Sequence, residues 1–352
     1  LDWSCSGWRS LTVRPDRNEH RAGNRINLAN VRRTLLSGIG VLACSVAGIA
    51  LLARSIEVTN HVVMGVAVLS PYLMLGAALG LVAFLAARRW LLAGISVALT
   101  LIALVVQLPA GAPSAIRARD HVDVRIVSAN LYLGQADSQA VVALARDYGD
   151  VVAVQELTPS EMDRLSAAGM DASFPYRVVS AQDDAHGAGL WSRYPLTEVR
   201  RSDPLLLSLI TARVQIPGVQ TSATLAVVHT SAPWPWPIDI WRDGTTGLAA
   251  AMRQMARSSG GGAVVVAGDF NATRDMLQFR QLQGDGFEDA HEQVGAVIAP
   301  TYPADSWLPP LLTLDHVLTR GAMASTVRTA TIAGSDHRAL LTTVAIPRRP
   351  AP

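Results

Sequence analysis

Between residues 34 and 108 the chain carries only four charged side chains, Arg54, Glu57, Arg88 and Arg89. A soluble fold would have to bury nearly all of such a run. Three apolar stretches lie within it, residues 34–53, 62–87 (which contains Pro71) and 90–108. At 1.5 Å per residue a helix of ~20 residues covers the ~30 Å of a hydrocarbon core. The expectation is therefore an anchor of three transmembrane helices, 34–108, in contact with the lipid bilayer. A cleaved signal peptide is the competing reading of the first stretch. Its long apolar run, the lack of a small-x-small cleavage site and the two stretches that follow argue against it.

Cytoplasmic flanks of membrane helices retain positive charge, so arginine placement gives the orientation. The tail 1–33 holds Arg9, Arg14, Arg17, Arg21, Arg25, Arg32 and Arg33, and the turn between the second and third stretches holds Arg88 and Arg89. Both are expected inside. In the first loop Arg54 is balanced by Glu57, which suits the outside. Three crossings then place everything after the anchor outside, although Arg117 and Arg119 pull weakly the other way. The expected layout is a basic cytoplasmic tail (1–33), the anchor (34–108), a Pro/Ala/Gly linker (109–122), an extracytoplasmic globular domain (123–347) and a short tail (348–352). The expected location is the cell membrane, as a multi-pass protein. Leu1 stands where a start methionine is usual, which leaves the true start open.

The net charge of +2 hides an asymmetry. Residues 1–119 hold 12 arginines and 4 acids, residues 120–347 hold 16 arginines and 24 acids, and lysine is absent. An acidic globular part lacks the surplus of cations that binds nucleic-acid phosphates non-specifically. The two cysteines, Cys5 and Cys44, both precede that part, so it has neither a disulfide framework nor a thiolate metal site.

From residue 123 short apolar runs alternate with amphipathic segments. Strands are predicted at 124–130, 150–156, 188–193, 208–216, 221–229, 263–269, 313–319 and 339–346, with a turn at Pro217-Gly218 and a helix capped by Asp137. This is an α/β or α+β layered domain. Polar residues interrupt the runs at their ends: Asn130, Glu156, His229, Asp269 and Asn271 in GDFN, Asp315 in LDHV, and Asp336 and His337 in SDH. Each alone has a plain structural explanation as a turn cap, a satisfied half-buried histidine or an ion-pair partner. Together they have the composition of a site for a hard cation and a phosphate. Carboxylate and amide oxygens suit Mg²⁺, and histidines beside them donate to phosphate or move protons near neutral pH. No nucleophile elbow, Walker loop or His-x-x-x-His helix competes.

The order SAN, QE, HT, GDFN, LDHV and SDH over residues 123–347, with SDH about 65 residues after GDFN, resembles the endonuclease/exonuclease/phosphatase family of metal-dependent phosphoesterases, built like pancreatic deoxyribonuclease. The resemblance implies a four-layer α/β sandwich of two packed β-sheets flanked by helices. It implies Mg²⁺, with Mn²⁺ as a substitute, held by Glu156 with Asn130 beside it and Asp336 as an accessory ligand. It further implies that Asp269 orients or deprotonates the attacking water and that Asn271, Asn130 and His229 contact the substrate phosphate. His337 would act at the phosphate, held in its tautomer by Asp315. Ala339-Leu340 replaces the Pro-Val common after SDH, and Leu314 stands where an aromatic residue or Ile is frequent, which bears on substrate fit.

Two Trp/Pro-rich stretches, WPWPIDIW (234–241) and SWLPPLL (306–312), flank catalytic positions. They either fill the core or border the pocket mouth, and Trp suits a membrane interface. The favoured substrate is an envelope phosphoester, a lipid-linked (pyro)phosphate among them. The layout resembles that of membrane phosphatases associated with glycopeptide resistance, which act on an undecaprenyl-type carrier. The alternatives are a membrane-tethered extracellular nuclease acting on DNA or RNA, and a non-catalytic lipid or partner sensor. A complete set of ligands disfavours the sensor. No protein partner is inferred.

Overall fold

The first strand of the globular part, β1 (His121–Asn130), pairs antiparallel with the last, β12 (Arg338–Pro347), so the domain closes on itself in sequence. This computed structural model describes residues 28–108, 120–202, 207–296 and 299–349. The tail through Asn27, the linker with Arg117 and Arg119, and residues 350–352 lie outside them.

Five helices precede β1: α1 (Leu28–Ser55), α2 (His61–Val68), α3 (Ser70–Leu73), α4 (Leu75–Ala86) and α5 (Trp90–Val105). Their packing reverses that of a soluble bundle. Small residues face inward on α1 (Gly40, Ala43, Ala47, Ala50, Ala53), while Leu42, Ile49, Leu79, Leu91 and Leu101 are more than half exposed. A Cβ on Gly76 would lie 2.5 Å from the Ala43 carbonyl oxygen, so α1 and α4 approach backbone to backbone, as small-residue faces allow.

The expectation of three transmembrane helices is corrected here. Among the described residues only α1 is long and apolar enough to cross a membrane by itself. The second stretch is a helix pair bent by 63°. Pro71 has no N–H for the Ala67 carbonyl and its ring crowds that oxygen, so the helix breaks at Leu69. The third stretch gives α5, of 16 residues. Arg33 Nε donates to Ala87 O at 2.7 Å at one end of α1, and Arg54 Nη2 donates to Val106 O at 2.9 Å at the other.

After β1 come α6 (Ser138–Tyr148), β2 (Val151–Gln155), α7 (Pro159–Ala167), α8 (Met170–Ser173), β3 (Tyr176–Ser180), β4 (Ala188–Ser192), β5 (Leu196–Arg201), β6 (Leu207–Val214), β7 (Ala223–Thr230) and α9 (Ile238–Ser258). Then follow β8 (Val264–Asp269), α10 (Leu277–Leu282), β9 (Glu288–Asp289), α11 (Ala290–Val294), β10 (Asp315–Arg320), β11 (Met323–Thr331) and β12. They form two six-stranded mixed sheets, β11-β12-β1-β2-β4-β3 (sheet A) and β5-β6-β7-β8-β10-β9 (sheet B). Each sheet contains one parallel pair, β1 with β2 and β7 with β8, joined through α6 and α9 respectively. Asp137 caps α6, its carboxylate accepting from the N–H groups of Gln139 and Ala140, as its sequence position predicts.

Between the sheets Val124, Ile126 and Val151 meet Leu225, Val227 and Val265. Outside sheet A, α6 and α7 cover Val127, Val152 and Trp191; outside sheet B, α9 and α10 bring Trp241, Leu248 and Phe279 against Val264 and Val266. The result is the four-layer sandwich expected. Burying a large apolar side chain contributes ~1.5–3 kcal/mol, so these three apolar interfaces hold the layers together.

Ala53, Val58 and Ala67 of the helical unit join the outer layer of sheet B. Gln278 clasps Val58 by accepting from its N–H and donating to its carbonyl, at 3.1 and 3.0 Å, and Arg54 pairs with Asp275. The site-bearing domain therefore sits on the Arg54 end of α1, opposite the end that carries Arg33.

Candidate active site

Parallel strands β1 and β2 end side by side, as do β7 and β8, and these ends converge where β10 begins. Asn130 ends β1 and Glu156 follows β2, His229 and Asp269 occupy paired positions in β7 and β8, and Asp315 is paired with Asp269 across β8 and β10. His337 and Asp336 come from the turn that leads into β12. All eight residues singled out from the sequence lie at this one end of the sandwich.

The backbone is bent to serve it. Glu156 and Asn271 have φ of 56° and 45°, unusual for residues with a Cβ, and such strain persists where surrounding structure enforces it. Gly268 is obligatory for a different reason: a Cβ there would lie 1.9 Å from Val228 O, so only glycine lets β8 lie against β7 before Asp269.

Asn130 Nδ2 donates to Glu156 Oε1 (3.0 Å) and to Asp269 Oδ2 (3.1 Å), tying the two sheets together. Glu156 Oε2 accepts from the Leu133 N–H at 2.9 Å, and its side chain remains partly open. Asp269 Oδ1 accepts from the Asn271 N–H at 2.8 Å, while Oδ2 lies 3.6 Å from His337 Nε2 and 3.7 Å from His229 Nε2. Burial lifts the Asp269 carboxyl above the usual carboxylate range against the pull of His337, and Asp315 adds to the lift.

His337 Nδ1 donates to Asp315 Oδ2 at 2.8 Å, and the His337 backbone N–H donates to Ser335 Oγ at 3.0 Å. Burial alone would strip its charge, but the Asp315 and Asp269 carboxylates outweigh burial and push it up to about 10. It is an imidazolium with one N–H on Asp315 and the other facing Asp269. Asp269, Asp315 and His337 offer ligand atoms within 4.8 Å of one another, a spacing that would also suit a cation, but the protonated ring already supplies that positive charge.

His229 Nδ1 donates to Ala185 O at 2.8 Å, and Nε2 accepts from Asn271 Nδ2 at 3.2 Å. The second Asn271 amide hydrogen goes to Thr230 O at 2.9 Å, which fixes the amide and leaves Oδ1 as its free atom. In this arrangement both groups expected to donate to phosphate have their N–H hydrogens engaged within the protein. Asp336 is pushed up to about 6, chiefly by burial, with Glu156 and Asp269 adding to it, and its Oδ1 is buried without a partner among the described residues. Asp315 Oδ1 is likewise unpartnered. Four carboxylates thus face one imidazolium, an imbalance that a divalent cation relieves.

Sequence reading missed four contributors. Tyr302 places its ring 4.9 Å from the His337 ring. Ser335 Oγ donates to Asn130 O at 2.8 Å, joining the SDH turn to β1; the serine stands in the quoted motif, but its partner is not local. Asp289 and His316 brace the loop after Asn271: His316 Nδ1 donates to Asp289 Oδ2 at 2.8 Å, and Nε2 to Ala272 O at 3.0 Å. Of the Trp/Pro loops, Trp241 is core, whereas Trp234, Trp236 and Trp307 are 65%, 61% and 91% exposed.

This fold and site define a phosphoesterase, and residues 127–337 match the Endonuclease/Exonuclease/phosphatase family. The chain belongs to that family and is a metal-dependent hydrolase of phosphoester bonds. Similar solved structures include a humanized D. rerio TDP2 carrying 14 mutations, at 18% identity and TM-score 0.52, covering 63% of this chain and 98% of that one. The D. rerio TDP2 complexed with single strand DNA product matches at 18% identity and TM-score 0.51 over the same shares of both chains. An endonuclease/exonuclease/phosphatase from Bacteroides vulgatus matches at 14% identity and TM-score 0.51, over 64% of this chain and 99% of that one. These likenesses are of fold. No curated protein matches the chain.

Proposed function

We propose that the protein is a membrane-anchored, extracytoplasmic phosphoesterase that hydrolyses an envelope phosphoester with a lipid-linked leaving group or backbone. The observation that carries this reading is where the loops beside the site rest. His61 Nε2 lies 3.0 Å from Pro233 O and 3.1 Å from Trp236 O, with its ring edge-on to Trp234 at 5.1 Å; Tyr72 Oη donates to Leu311 O at 2.7 Å. Both Trp/Pro loops therefore rest on α2 and α3 and carry exposed indoles beside these apolar helices.

A single crossing by α1 suffices for this placement, and contacts at both of its ends tie it to α4 and α5. Arg33 reaches the turn between α4 and α5, and 21 positions later Arg54 reaches the end of α5, a separation of ~30 Å along a helix. The arginine-rich end is the cytoplasmic one by charge.

Glu156 and Asp336 would hold Mg²⁺, with Mn²⁺ as a substitute and Asn130 and Asn271 beside it. The all-oxygen donors and the unpartnered Asp336 Oδ1 fit that ion. Bound there, the cation offsets negative charge on the phosphate oxygens. Asp269, raised by burial, orients the attacking water and takes its proton. The His337 imidazolium donates from Nε2 to phosphate or leaving-group oxygen, and Asp315 keeps Nδ1 protonated so that Nε2 faces inward. His229 and Asn271 hold each other and frame the other side of the phosphate.

The test is Mg²⁺-dependent phosphate release by the full chain in detergent micelles, from an isoprenoid pyrophosphate, a phospholipid and plasmid DNA. Turnover of the isoprenoid or phospholipid is expected. Cleavage of DNA alone would give the nuclease reading instead. A reporter active only in the cytoplasm, fused after Pro352, should be silent; a strong signal would reverse the orientation.

A further inference from the structure

We infer that a cavity of about 350 Å³ between α2–α3 and the outer face of sheet B binds the headgroup and first carbons of an anionic phospholipid. This rests on reading the helices as a membrane unit and is independent of the substrate. Val68, Pro71, Tyr72 and Leu312 supply apolar walls, and exposed Tyr72 and Leu311 mark the side open to the surroundings. The cavity is not the catalytic pocket. His316 lines it while Asp315 belongs to the catalytic cluster, and consecutive residues of a strand point to opposite faces.

One corner of the cavity is polar and incomplete. Asp289 accepts from Nδ1 of both His291 (3.0 Å) and His316 (2.8 Å). His316 also donates from Nε2 to Ala272 O, so it carries two hydrogens and neutralises Asp289. The trio is thus a closed hydrogen-bonded set, with no lone pair left on His316 for a metal. His291 Nε2 is different: it is buried, it lines the cavity and it has no partner among the described residues. Arg274 Nε, on the same lining, is also buried and unpartnered. Buried polar groups are normally satisfied, so two orphans facing one space point to a ligand.

The charges around the corner give its sign. Arg54, Arg274 and Arg280 face Asp275 and Glu292, which leaves one positive charge in excess; Arg54 pairs with Asp275, Arg274 lies 3.4 Å from Glu292, and Arg280 donates to Arg274 O at 2.9 Å. A phosphate accepting from Arg274 Nε would cancel the excess, with a headgroup hydroxyl donating to His291 Nε2. Chains attached to it would run along Val68, Tyr72 and Leu312 into the bilayer. Phosphatidylglycerol has both groups.

The full chain in detergent, titrated with phosphatidylglycerol, phosphatidylcholine or inorganic phosphate, is read by native mass spectrometry and by Tm. One phosphatidylglycerol per chain is expected, bound about tenfold or more weakly in Arg274→Gln or His291→Phe, the loss of a charge-assisted hydrogen bond. Leu312→Trp, which fills the apolar wall and leaves both polar groups, should also abolish it, and serves if the other variants fail to fold. Equal retention of phosphatidylcholine, a Tm rise with inorganic phosphate matching that with the lipid, or undiminished binding by folded Leu312→Trp would each overturn the proposal. A chain that hydrolyses phosphoesters yet retains no lipid would remove this site and leave the phosphoesterase reading standing.

Discussion

Replacing Asp315 by Asn keeps the shape of the side chain and removes one charge, and its effect can be worked from the His337 environment. His337 is raised from 6.5 to about 10 against burial, with Asp315 the largest of three carboxylate contributions, Asp269 next and Asp336 the smallest. The contact distances agree, 2.8 Å for Asp315 and 3.6 Å for Asp269. With Asp315 uncharged, only Asp269 and the smaller pull of Asp336 are left to offset burial, and His337 falls back towards its ordinary value. At pH 8 a group titrating near 10 is ~99% protonated and one near 6.5 is ~3% protonated, so kcat should fall about thirtyfold if the imidazolium is the working form. The sign is fixed: a raised histidine is charged below its shifted pKa, so the loss should shrink as the pH is lowered through 6.5 towards 5. The assay is Mg²⁺-dependent hydrolysis of p-nitrophenyl phosphate from pH 5 to 9.5, with the wild type showing no alkaline limb from this group below about pH 9. An Asp315→Asn enzyme with wild-type kcat and an unchanged profile would refute the argument that this carboxylate keeps His337 charged.

Glu156→Gln should raise the Mg²⁺ concentration for half-maximal activity by tenfold or more with little change in Tm, and EDTA should abolish wild-type turnover; activity indifferent to EDTA would exclude the cation site. Asp289→Asn should cost about 3–5 kcal/mol, because it leaves His316 buried and unpaired. Burial alone would raise Asp289, but His316 and then His291 hold it far below the carboxylate range, while burial opposes and Asp289 raises His316. The pair's stabilisation is therefore greatest from about pH 4 to 6.5, fades in acid as Asp289 protonates and fades in base as His316 loses its proton; denaturant titration across pH should show the variant lacking both limbs. Changing Trp234, Trp236 and Trp307 together to Ser should raise KM for a bilayer-presented substrate and spare a soluble phosphoester, each indole contributing roughly 1–2 kcal/mol at an interface; equal losses on both, with a lower Tm, would show that they support the fold.

What the sequence conceals follows a physical rule. The expected strands correspond to β1, β2, β4, β6, β7, β8, β10 and β12, which form the interiors of both sheets. The four that escaped, β3, β5, β9 and β11, are the four sheet edges. An interior strand buries both faces and reads as an apolar run, whereas β5 (LTEVRR) is almost wholly exposed and β9 has two residues. The site was legible for the same reason: Asn130, His229 and Asp269 interrupt buried runs, and a polar residue there has to be satisfied by a partner or a ligand. Tyr302 and Asp289 sit outside such runs, and only folding reveals what they touch. Hydropathy located the apolar segments but could not register that Pro71 divides one of them.

The pairing of β1 with β12 also sets when the protein can act. β12 lies between β11 and β1, and the turn before it delivers Asp336 and His337. During synthesis the apolar helices and most of both sheets emerge first, yet the nascent chain lacks His337 and an interior strand of sheet A until residue 347 has left the ribosome. A nonsense mutation anywhere before β12 yields a chain without His337 and with sheet A missing an interior strand.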